Sequence, residues 1–290
     1  MTALINLVYL ISVSLFIVGL QRLSSPKTAS SGNLIAALGM GLGVLIALYA
    51  PIESGNDNYL IIICALVLGG GIGLVVAGKV LMTKMPEMVS LFNGLGGACA
   101  LLISIAELLN FHNSGNFELA PYLTTLLALL IGSIAFTGSL VAYGKLSGNI
   151  KDNWKLPRAN MINMILLLTL IAASVYQLQA LDTMDLVYFI MVLSLVYGIT
   201  FVLNVGGADM PVIISILNAL TGVSAALAGI IYDNMIMLMG GILVGSSGAI
   251  LTILMCQAMN RSLLNVLAGG FGGGAPSAVQ VGDQTVKEVN

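Results

Sequence analysis

Apolar residues fall into nine long stretches separated by short polar ones, at about 4–20, 34–51, 59–80, 87–109, 121–144, 160–179, 186–204, 211–232 and 235–258. Each is close to the ~20 apolar residues that a helix needs to cross the hydrocarbon of a bilayer. The linkers are too short for a soluble domain between them, so the pattern predicts an all-α polytopic membrane protein: one compact bundle of about nine transmembrane helices. The first stretch has no basic segment before it and no small-residue cleavage site after it, so it reads as a retained helix. Beyond residue 262 the periodicity stops. Residues 1–262 form the membrane domain in this reading, and 263–290, ending in "GGFGGGAPSAVQVGDQTVKEVN", a glycine-rich flexible linker. "GGFGGG" superficially resembles a dinucleotide loop but lacks the strand and helix that such a loop joins.

Composition sharpens the class. Of 290 residues, 58% are hydrophobic and 8% charged, and the mean hydropathy is +1.05; a soluble globular chain carries about 25% charged residues. Charge also gives an orientation. The ten basic residues all follow odd-numbered stretches: Arg22 and Lys27, Lys79 and Lys84, Lys145, Lys151, Lys155 and Arg158, then Arg261 and Lys287. Glu53, Asp57, Glu118, Asp182, Asp185 and Asp233 occupy the opposite side. The positive-inside rule then places the C-terminus in the cytoplasm and the N-terminus outside. Cys64, Cys99 and Cys256 lie in apolar stretches and read as small core residues rather than a metal or redox set.

One motif occurs twice. "MPEMVSLFNGLGG" at 85–97 and "MPVIISILNALTG" at 210–222 match at an offset of 125, pairing Met85 with Met210, Pro86 with Pro211, Ser90 with Ser215, Asn93 with Asn218 and Gly97 with Gly222. Both open even-numbered helices, so the repeat is parallel rather than inverted. Each proline sits in the first turn, where its missing N–H costs nothing. Each asparagine then lies roughly 10 Å along its helix, inside the hydrocarbon region. Two readings stand side by side: interhelical glue worth about 1 kcal/mol, or a polar lining for water and protons. The helix after each repeat carries a small, polar stretch, "GSIAFTGSLVAYGKLSG" at 132–148 and "GGILVGSSGAIL" at 240–251, with Thr137-Gly138 answering Ser247-Gly248. Such faces permit close packing, and the adjacent hydroxyls of Ser246 and Ser247 could also extend a hydrogen-bonded path.

Few charges are within reach. Asp209, in "GGADMP", serves either a pathway mouth or the helix N-terminus it precedes. Glu87 reads as a solvated first-turn acid, and Glu107 as an interfacial carboxylate or part of an outer vestibule. His112, the only histidine, falls in an outer "NFHNSGN" segment and reads as a solvated loop residue.

Together "MPEMVSLFNGLGG", "GSIAFTGSLVAYGKLSG", "GGADMPVIISILNALTG", "LVGSSGAILTILMCQAMNRS" and "GGFG" resemble the membrane part of the beta subunit of proton-translocating NAD(P) transhydrogenase, over nearly the whole chain. The resemblance implies a three-part enzyme. An alpha subunit binds NAD(H), a domain at the C-terminus of beta binds NADP(H), and the membrane domain passes a proton into the cytoplasm as hydride moves from NADH to NADP⁺. It also implies a dimer of alpha–beta units, a bacterial inner-membrane location and no nucleic-acid partner. The sequence departs from the family by stopping at the linker, so this chain is expected to hold no nucleotide, catalytic or metal site itself. Asn93 falls where some members carry a relay histidine that others take from the partner subunit. By the same resemblance Asn218, Ser246 and Ser247 belong with Asn93 to a proton pathway, and Asp209, Gly245, Gly248 and Arg261 to its coupling with the NADP domain. Two rivals remain: a stand-alone secondary transporter, for which no buried acid–base pair or unwound helix is evident in the sequence, and a structural anchor, which requires both asparagines to be saturated by neighbouring helices.

Overall fold

The computed structural model describes residues 2–23, 25–49, 58–151, 154, 156–181, 183–260 and 262–263. These contain nine helices long and apolar enough to span a membrane, and no strand. In chain order they are α1 (Thr2–Leu23), α2 (Ala29–Tyr49), α3 (Tyr59–Lys79), α4 (Met85–Ser114), α5 (Leu119–Leu146), α6 (Ala159–Gln177), α7 (Met184–Leu203), α8 (Met210–Ile231) and α9 (Met235–Ala258). The protein is a multi-pass membrane protein, and its outward-facing side chains fit that solvent: Leu60, Val67, Leu74 and Leu102 are all well exposed. Arg261 and all of the predicted linker after residue 263 lie outside the described residues.

Local chemistry sets the helix ends. Pro86 and Pro211 stand in the first turns of α4 and α8, where no N–H is required. Each of these helices is preceded by a 3-10 turn, Met82–Lys84 and Gly207–Asp209. Asn234 caps α9, its side chain accepting from the N–H groups of Ile236 and Met237 at 3.1 Å. The C-terminal end of α4 runs past its apolar stretch to Ser114 and stops at Gly115, whose φ of 65° is left-handed. His112 is therefore an exposed residue of the last helical turn rather than of a loop.

The centre is α5, which packs on α4, α7 and α8. Near its C-terminal end Val141 joins Phe201, Val205, Met210, Ile213 and Leu217 in one apolar cluster; near its N-terminal end Tyr122, Leu126 and Leu129 join Leu108, Val187 and Ile190 in another. Tyr122 is held there by Gln177, whose Nε2 donates to the phenol oxygen at 2.7 Å. Helices α1 and α2 pair through small residues, with the Ser12 hydroxyl donating to the Gly39 carbonyl, and this pair touches α9. α3 stands apart: none of its residues is buried, and a methyl added at Gly69, Gly70, Gly71 or Gly73 would meet nothing within 4 Å. Cysteine burial departs from the sequence reading. Only Cys256 is buried, while Cys64 and Cys99 are exposed, because each lies on a helix side that no described element covers.

Candidate functional site

The duplicated motif is duplicated in packing as well. In α4, Ser90 donates to the carbonyl of Ser139 on α5 at 2.9 Å; in α8, Ser215 donates to the carbonyl of Gly248 on α9 at 3.0 Å. Gly97 lies against the backbone of Gly132 and Phe136, and Gly222 against that of Gly241 and Gly245, in both cases too close for a methyl group. A methyl on Gly132 would stand a tight 3.0 Å from the Leu101 nitrogen, and one on Gly241 would clash with the Ala226 nitrogen. These pairs agree on one register. The first helix of each unit repeats at an offset of 125, and the second repeats at 109.

That register corrects the sequence alignment by one position. Ser139 answers Gly248, Phe136 answers Gly245, and Thr137-Gly138 answers Ser246-Ser247. A one-residue shift turns a helix by about 100°, and the correction moves the two serines. Thr137 on α5 points at α7, its hydroxyl donating to the Leu195 carbonyl at 2.8 Å. Ser246 and Ser247 are exposed on α9, their hydroxyls turned back to the carbonyls of Leu243 and Val244 at 3.1 and 3.0 Å. They do not meet Asn218. Gly245 and Gly248 do face α8, where they allow its backbone to approach.

The two asparagines have different surroundings. Asn93 is 9% exposed, and its amide donates to the Ser139 hydroxyl at 2.9 Å. Asn218 is half-buried and makes no hydrogen bond to any described residue. Its helical neighbours place it: Ser215 and Gly222 face α9, and Thr221 faces Gly96 of α4. The side chain thus lies at the gap between α4 and α9. One turn on, the buried Thr221 hydroxyl also lacks a partner among the described residues. At the C-terminal end of α8 Glu107, half-buried, stands near Tyr232. The phenol of Tyr232 is pushed above its ordinary pKa of 10.0 by partial burial first and by the Glu107 charge second.

The C-terminal ends of α5 and α7 hold a feature that the sequence reading missed. Lys145, counted there only as one of the basic residues after the fifth stretch, is 8% exposed. Its Nζ donates to the carbonyls of Leu203 and Val205, the latter at 2.6 Å, at the end of α7. Asp209, four residues beyond Val205, is 7% exposed. It occupies the N-cap position of α8 without a side-chain bond to the first turn, so helix capping does not explain it. Two charged side chains are therefore buried at this end. Asn163 on α6 was missed too; it is buried with neither amide atom partnered among the described residues. No group of three or more His, Cys, Asp or Glu side chains capable of holding a metal occurs among the described residues.

The sequence profile of the NAD(P) transhydrogenase beta subunit matches residues 5–290. The chain belongs to this family. Two sequences from Rhodospirillum rubrum, both called NAD(P) transhydrogenase subunit beta, are 37% identical to it over 287 residues. The match covers 96% of this chain and 61% of each relative, so the chain spans about three-fifths of the length of these transhydrogenase beta subunits.

Proposed function

We propose that this chain is the proton-translocating membrane part of a transhydrogenase complex, in which proton passage into the cytoplasm is coupled to hydride transfer from NADH to NADP⁺. The observation that carries the reading is Asn218: an amide at membrane depth with no hydrogen-bond partner among the described residues, beside the unpartnered Thr221 hydroxyl. Unsatisfied polar groups in hydrocarbon are costly, so such a pair calls for water or a partner's side chain. Glu107 and Tyr232 stand at one end of the same helices and Asp209 at the other. In this reading Asn218 lines the path, with Asn93 at its edge. Asp209, Gly245, Gly248 and Arg261 couple the inner end to nucleotide binding. Ser246 and Ser247, on the open face of α9, reach the path only if an alpha-subunit helix packs there.

Nucleotide chemistry is assigned elsewhere: NADP(H) to a domain joined through the glycine-rich linker, and NAD(H) to an alpha subunit. The described residues, all helix and short connection, offer no βαβ cradle for a dinucleotide. A homodimer of alpha–beta units in a bacterial inner membrane completes the proposal. The structural-anchor reading needs both asparagines saturated; Asn93 meets that condition and Asn218 does not.

The test is the complete complex in liposomes, with hydride transfer and proton uptake followed together. Asn218→Leu should lower both by tenfold or more, on the order of 1.4 kcal/mol in the limiting step. Equal rates for the altered and unaltered complexes would overturn the assignment.

A further inference from the structure

We propose that the residue facing each repeated asparagine sorts the pair into one locked and one hydrated amide: Ser139 locks Asn93, and Gly248, guarded by Ala219, leaves Asn218 open to water. The functional consequence rests on the proton-pathway reading above; the sorting itself does not.

The two helix crossings are the same in backbone terms. Both keep the serine-to-carbonyl bond, at 2.9 and 3.0 Å, and both keep glycine at the closest approach. They differ in where the single side chain sits. In the first crossing α4 offers Gly94 and α5 offers Ser139; in the second α8 offers Ala219 and α9 offers Gly248. A second side chain would be crowded in either crossing. A methyl added at Gly94 would stand 3.1 Å from the Ser139 Cβ, and one added at Gly248 would stand 2.9 Å from the Ala219 nitrogen and 3.1 Å from its Cβ. The exchange of small residues across the interface therefore removes the hydroxyl that Asn93 uses. Without it, Asn218 finds no described partner. The second unit also gains a polar atom that the first lacks: Thr221, whose hydroxyl is unpartnered, stands where the first unit has Gly96. A water needs two to four polar partners, and the Asn218 amide with the Thr221 hydroxyl supplies them only in the second unit.

The experiment uses the complete complex in bilayers, with ¹⁵N-labelled asparagine and deuterium exchange of the side-chain amides followed by solid-state NMR. In the unaltered complex the Asn93 amide should exchange slowly and the Asn218 amide quickly. The reverse order, or equal rates, overturns the sorting without any substitution. The double change Ala219→Gly with Gly248→Ser restores the residues of the first crossing in the second and removes the Ala219 Cβ, while the backbone of residue 219, whose nitrogen lies 2.9 Å from the new Cβ, must shift to admit it. It should slow Asn218 exchange and lower coupled proton uptake about three- to tenfold, the range that one interhelical hydrogen bond supports. Exchange at Asn218 unchanged in an assembled double variant overturns the proposal. Slowed exchange with undiminished proton uptake upholds the sorting and removes Asn218 from the proton pathway.

Discussion

Lys145 carries a positive charge to a place where the sequence shows only the end of an apolar run. Its ammonium closes over the carbonyls of Leu203 and Val205, groups that the last turn of α7 leaves without helical donors. Lys145→Met keeps the aliphatic stem and removes the donor. It should destabilise the protein by about 1–3 kcal/mol, the penalty for stranding buried acceptors, read as a lower midpoint in thermal or detergent unfolding. An unchanged midpoint would show that water replaces the ammonium. The asparagines make the same point about legibility. The spacing within "MPEMVSLFNGLGG" and "MPVIISILNALTG" places both at one depth, yet one amide is satisfied and the other is not. The difference arises on α5 and α9, some 30 to 46 residues away in the chain, and no reading of the motif alone contains it.

Among the elements, glycine has opposite meanings on α3 and α8. Gly70 has open space around it, whereas Gly222 has the backbone of α9 where its side chain would be. Gly70→Ala should be neutral or stabilising by up to about 1 kcal/mol, since alanine loses less backbone entropy in a helix. Gly222→Ala must push α8 from α9 and should cost about 1–3 kcal/mol. The ratio of folded to unfolded protein across an SDS titration checks both, and similar costs at the two sites would mean that α3 is as tightly packed as α8. Apolar run length alone located all nine helices to within a few residues, because membrane depth fixes the length of an apolar helix. It stopped short at α4, whose last turn is polar and whose end is set by the left-handed Gly115.

For the whole molecule, alternation of nine helices puts every described Lys and Arg at one end of the bundle. The inward orientation inferred from that charge is checked by cysteine labelling in a background without Cys64 and Cys99. Asn113→Cys, beyond the described end of the α4 apolar stretch, should react with an impermeant maleimide in intact cells. Asn149→Cys, after α5, should react only once the membrane is opened; the opposite pattern would invert the topology. The sequence by itself determined the membrane class, the number of spans, the internal repeat and the family, because each follows from composition or from residues adjacent in the chain. The tertiary structure decided which polar groups meet. It set the one-residue register of the second repeat helix, turned Ser246 and Ser247 away from Asn218, buried Lys145 and Asp209, and divided the two asparagines. The reason is geometric: a residue step rotates a helical side chain by about 100° while moving it 1.5 Å along the axis, so depth is legible in sequence and direction depends on the neighbouring helix.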